Sequence, residues 1–105
     1  MLRIYSVALE VAKDAAVIAD AIGRRDSDLA RQLRRAVCSV ALNIAEGSGS
    51  AGGNRRSRYA TALGSARETR ACFDVGVAMG YIAMPDAGVL ERLGQVIGTL
   101  TRVSK

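Results

Sequence analysis

The chain has 105 residues, half of them hydrophobic, with no histidine and a formal net charge of +5 at pH 7. That length supports one domain, residues 1–105, and so apolar a composition excludes a disordered chain. Alanine, leucine and valine dominate over the four aromatics Tyr5, Tyr59, Phe73 and Tyr81, a balance that suits closely packed helices and gives strands little to work with.

In the first segment Val7, Val11, Ala15, Ile18 and Ile22 recur at helical spacing, with Glu10, Lys13, Asp14 and Asp20 on other sides. This predicts an amphipathic helix ending near Gly23. The interspersed charges leave neither the apolar run of a signal peptide nor a membrane-spanning length, so a cytoplasmic protein is expected. Arg24 and Arg25 follow in a short connection, and Asp26 or Ser27 is placed to cap the next helix.

The second helix carries Leu29, Leu33, Ala36, Val37, Val40 and Ile44 as its core stripe, with Arg31, Arg34, Arg35 and Cys38 on a neighbouring side. Gly47, Gly49, Gly52 and Gly53 are expected to end it and to form, from Gly47 to Gly53, a mobile surface loop. Asn54 would cap a long third helix running to about Ile82, marked by Tyr59, Leu63, Ala66, Phe73, Val77 and Tyr81. Each of Gly64, Gly76 and Gly80 lowers its propensity by about 1 kcal/mol relative to alanine, a cost that close approach of a neighbouring helix would offset. Pro85 marks the next boundary, and Leu90, Leu93, Ile97 and Leu100 define a fourth helix. Four helices joined by short turns imply an all-α, antiparallel up-down four-helix bundle.

Catalytic and metal chemistry find little support. Cys38 and Cys72 have no zinc-site spacing and no histidine to complete one, and are read as buried thiols. The glycine-rich stretch follows a helix instead of a strand and has Asn54-Arg55 where a phosphate-binding loop needs lysine and a hydroxyl. Backbone amides opening the third helix could still meet a backbone phosphate. Glu46 and Glu68 would stand roughly 20 Å apart along antiparallel helices, too far for a two-carboxylate site. Asn43, Glu46, Gly47 and Glu68 are therefore assigned structural roles, with Asn43 hydrogen-bonding at a helix junction and Glu68 pairing with a nearby arginine. No cofactor is expected.

Charge is the feature that points to a function. Between Arg24 and Arg58 stand eight arginines (Arg24, Arg25, Arg31, Arg34, Arg35, Arg55, Arg56 and Arg58) against Asp26, Asp28 and Glu46. The rest of the chain has seven positive and seven negative groups, so this stretch carries the whole excess. If those arginines share one surface, they would bind RNA or DNA through phosphates with little base specificity. Solubility and surface ion pairing are the competing explanation. A chain this small and apolar is also expected to associate with copies of itself. The alternative function is a structural or protein-interaction scaffold that binds no nucleic acid.

The segments Gln32-Leu33-Arg34-Arg35-Ala36, Ser39-Val40 and Asn43-Ile44-Ala45-Glu46-Gly47, with Tyr59, Gly64-Ser65 and Glu68 further on, resemble the four-helix-bundle proteins of the 23S rRNA intervening-sequence family. The likeness spans most of the chain and is weakest in the final helix. The resemblance implies an all-helical bundle assembled as a homopentamer, with no established enzyme activity. The accessory variability determinant of diversity-generating retroelements looks like a relative. Carried over, that likeness implies a basic adaptor engaging nucleic acid and, in a retroelement setting, a reverse transcriptase.

Overall fold

A computed structural model describes residues 2–105 and contains four helices: α1 (Ile4–Gly23), α2 (Ser27–Ser48), α3 (Gly52–Ala78) and α4 (Ala87–Val103). Helix α1 packs on α2 and α4, and α3 packs on the same two, so successive helices are antiparallel neighbours around a square. The bundle measures 42 × 25 × 19 Å. One end holds the α1–α2 and α3–α4 turns; the other holds the α2–α3 turn, the start of α1 and the end of α4.

The α2 stripe is buried as the spacing predicts, and Ala30, Ala41 and Gly47 join it. On α1 the buried line is Ile4, Ala8, Val11, Ala15, Ala19 and Ile22, so Val7 and Ile18 shift to its half-buried flank. Ala8, Ala15 and Ala19 are no more than 1% exposed, so a larger side chain at any of them would overpack the core. On α3 the core residues are Tyr59, Ala62, Ala66, Thr69, Cys72, Phe73 and Gly76, leaving Leu63, Val77 and Tyr81 half-buried. Helix α4 buries Val89, Leu93, Val96 and Leu100, with Leu90 and Ile97 at the margin. Phe73, Ile22, Leu33, Ile44, Leu93 and Leu100 are the largest fully enclosed side chains. Each contributes about 1.5–3 kcal/mol by leaving water. Thr69 is a fully buried polar residue in this interior, and its hydroxyl donates to the Ser65 carbonyl at 2.9 Å.

The helix ends differ from expectation in three places. The α2–α3 connection is only residues 49–51, not a seven-residue arm, because Gly52 and Gly53 already belong to α3. It is also tied down: the Ser50 hydroxyl donates to the Glu46 carbonyl, and Arg55 Nε donates to the Ser50 carbonyl, both at 2.9 Å. Asn54 lies inside α3, whose N-cap is Ala51, with no side-chain hydrogen bond. Finally, α3 stops at Ala78 instead of Ile82. Gly80 adopts φ +76° there, with its N–H on the Val77 carbonyl at 3.0 Å and the Tyr81 N–H on that of Gly76 at 2.9 Å. This paired closure favours glycine because other residues strain at positive φ.

Of the three glycines read as helix contacts, only Gly76 is one. A Cβ there would lie 3.1 Å from Ile22 Cδ1, on α1, and 3.2 Å from Ile82. Gly64 is exposed with nothing close, and Gly80 terminates its helix.

At the other turn Asp26 caps α2, its Oδ1 accepting the Leu29 N–H at 2.9 Å. Its second oxygen accepts from the Tyr81 hydroxyl at 3.2 Å, and Arg25 lies over the Tyr81 ring at 5.7 Å. These contacts join the α1–α2 and α3–α4 turns.

Candidate nucleic-acid interface

Helix α2 is 22 residues long, so its two ends lie about 33 Å apart. Arg24 and Arg25 sit beyond its first residue, whereas Arg55, Arg56 and Arg58 open α3 at the opposite end. The arginines counted together in the sequence therefore spread over the full length of the helix, and all eight are exposed. The arginines form two end groups, with Arg31, Arg34 and Arg35 on the α2 turns between them.

Their local partners subdivide them further. Arg31 pairs with Asp28 at 3.4 Å, Arg34 with Asp20 of α1, and Arg58 with Glu46 at 2.8 Å. Arg55 directs its guanidinium at the Ser50 and Gly47 carbonyls and acts as a cap for the end of α2. Arg24, Arg35 and Arg56 are exposed and, among the described residues, make no ion pair. Two cations outside the sequence-derived set join them. Arg67 and Arg70 follow Arg56 by 11 and 14 residues, close to whole numbers of helical turns, so all three share one side of α3. Arg67 makes no ion pair among the described residues, and Arg70 bonds Asp74 at 3.1 Å. Their 11- and 14-residue spacing from Arg56 was the available signal.

The α2–α3 seam is polar. Ser65 donates its hydroxyl to Ser39 Oγ at 2.7 Å. Asn43 Nδ2 donates to the Ser39 carbonyl at 2.9 Å and to its Oγ at 3.1 Å, while Asn43 Oδ1 receives Arg58 at 3.5 Å. Arg58 continues to Glu46, so one chain of contacts runs from α3 along α2. Gly47 lies under the Tyr59 ring, and the Tyr59 and Ser48 hydroxyls are 3.3 Å apart. Asn43, Glu46 and Gly47 thus hold one helix pair together. Glu68 does not pair with an arginine: it is exposed, and its charge together with burial raises the Cys72 thiol above its usual range, burial being the larger cause. Cys72 is buried as expected, but Cys38 is exposed.

Further up the seam, Gln32, Arg35, Ala36, Cys38, Ser39, Ser65 and Glu68 line an open groove of about 630 Å³. Among the described residues no group of three or more His, Cys, Asp or Glu stands close enough to hold a metal ion. No described helix is long and apolar enough to cross a membrane.

This is an antiparallel helical bundle with a polar α2–α3 seam and scattered surface arginines. Over residues 1–101 the sequence matches the family described as 23S rRNA-intervening sequence protein, and the chain belongs to that family. Among solved structures it is similar to a protein of unknown function from the S23 ribosomal protein family of Bacteroides thetaiotaomicron VPI-5482. The TM-score is 0.72 at 17% identity, covering 96% of this chain and 91% of that one. At that identity the likeness speaks for the fold. No curated protein matches the sequence.

Proposed function

We propose that the protein acts by binding, as a basic homo-oligomeric adaptor associated with nucleic acid, most readily RNA. The supporting observation is where its charge lies. Helices α2 and α3 carry Arg31, Arg34, Arg35, Arg55, Arg56, Arg58, Arg67 and Arg70 against Asp28, Glu46, Glu68 and Asp74. Arg35, Arg56 and Arg67 stay unpaired on that hairpin, free to replace the counterions of a polyanion. Membership of a family named for an rRNA insertion favours RNA. Tyr59 is only 4% exposed and offers no stacking surface, so affinity rests on phosphate contacts.

Self-association is part of the same reading. Leu9, Val17, Leu42, Val75, Met79 and Met84 are 41–71% exposed, and Val75 and Met79 stand one helical turn apart at the end of α3, where a second copy could cover them. Repeating a weak cationic face around an assembly raises avidity without new contacts. A pentamer and a reverse-transcriptase partner follow from the resemblance alone.

The scaffold alternative draws on the ion pairs of Arg31, Arg34 and Arg58, which already satisfy part of the charge within one chain. Native mass measurement with and without a structured RNA, at low and high salt, separates the two. The adaptor reading expects an oligomer that retains RNA at low salt and releases it at high salt. An oligomer that never retains RNA supports the scaffold, and a monomer without RNA removes both.

A further inference from the structure

The α2–α3 groove contains a cation, an anion and an amide that the fold leaves unused. Arg35 and Glu68 line it from opposite helices, yet no ion pair within 4.0 Å joins them. Gln32 stands one turn before Ala36 on the same wall and takes no part in the side-chain hydrogen bonds around Ser39. The Ser39 and Ser65 hydroxyls are already bonded to each other on this lining. A volume near 630 Å³ lies within the usual range for a small organic ligand or a nucleotide.

From this juxtaposition we infer that the groove receives one unpaired guanosine of a bound RNA, with Glu68 on the guanine edge and Arg35 on the adjoining phosphate. The inference rests on the RNA-associated reading and adds base preference to it. An ionised carboxylate has two acceptor oxygens and no donor. Among the four bases, guanine alone presents two neighbouring donors on its pairing edge, N1–H and the N2 amino group. Adenine and cytosine present a donor beside an acceptor, which leaves one carboxylate oxygen facing a lone pair. Arg35 supplies what Glu68 repels, a bond to the anionic backbone, and Gln32 supplies a donor for the guanine O6. Bases are read this way when they are splayed out of single-stranded segments. A duplex hides that edge, so the preference applies to loops and bulges.

The test uses the full chain and three fluorescent octaribonucleotides: oligouridylate, the same strand with one central guanosine, and the same strand with inosine there. Inosine lacks the N2 amino group and nothing else. The guanosine strand is expected to bind at least about fivefold more tightly than the inosine strand, the discrimination of one good bidentate contact. E68Q exchanges an acceptor for a donor, and should bring the guanosine and inosine strands to one affinity without changing the salt slope. R35A should weaken all three. Glu68 and Arg35 are exposed, so both variants keep the core intact, and unchanged helical circular dichroism checks this. Equal, salt-dependent binding of the three strands by wild type overturns the groove assignment and leaves the RNA reading standing. No binding to any strand removes both. If E68Q changes the mass of the assembly and no strand's affinity, the groove seats a protein segment and the inference is wrong.

Discussion

The Tyr59 ring occupies the space a side chain at Gly47 would need: a Cβ there would lie 2.5 Å from Cε1 and 2.7 Å from Cδ1. Both residues are buried, and α2 crosses the start of α3 at this point. Alanine would otherwise favour the helix by about 1 kcal/mol. Here the ring has no solvent to move into, so sterics win. G47A is expected to destabilise the fold by about 1–3 kcal/mol. Urea unfolding checks this through a lower midpoint at unchanged slope.

Gly64 gives the opposite sign. It is exposed in mid-helix with no neighbour for a Cβ to meet. G64A should therefore stabilise by about 1 kcal/mol, read as a higher thermal midpoint. G80A should lower it, because φ +76° strains any residue with a side chain.

Asp26 serves two turns at once, and the two roles can be separated. D26A removes the α2 cap and should cost about 1 kcal/mol from that term. Burial first, then the hydrogen bond to Asp26, raise the Tyr81 hydroxyl above its ordinary value of 10.0. A raised pKa in the fold means that the protonated phenol is favoured there. Its contribution is complete below pH 10.0 and is lost as pH rises through the folded value. Wild type should thus lose stability more steeply than Y81F above pH 10, and the two curves should run parallel near neutrality. Parallel curves at high pH would show that the Tyr81–Asp26 bond does not form in solution.

The fold was legible because α2 and α4 carry leucine, isoleucine and valine at a strict helical period. On α1 the periodicity locates Val11, Ala15 and Ile22 in the core but favours Val7 and Ile18 over the buried Ala8 and Ala19, since alanine looks neutral in a sequence. Helix α3 was harder, because glycine, serine, threonine and alanine occupy both its faces and its end is set by Gly80. The α2 cap was readable from Asp26, whose side chain accepts the Leu29 N–H. The site was only partly legible. Counting arginines along the chain joined Arg24 to Arg58, but an antiparallel hairpin sends such neighbours to opposite ends. The Arg34–Asp20 pair needs two helices in register, and the run stopped short of Arg67 and Arg70.

Pairing also ranks the arginines for polyanion binding. Arg24, Arg35, Arg56 and Arg67 are free, whereas Arg31, Arg34 and Arg58 hold carboxylates. The most direct measurement is the slope of log affinity against log salt for one single-stranded RNA, compared between two variants. Replacing the four free arginines by alanine should weaken binding and flatten the slope by about 3. Replacing the three paired ones should change it far less. Equal slopes for wild type and the four-arginine variant, or a larger effect from the paired set, would contradict the account.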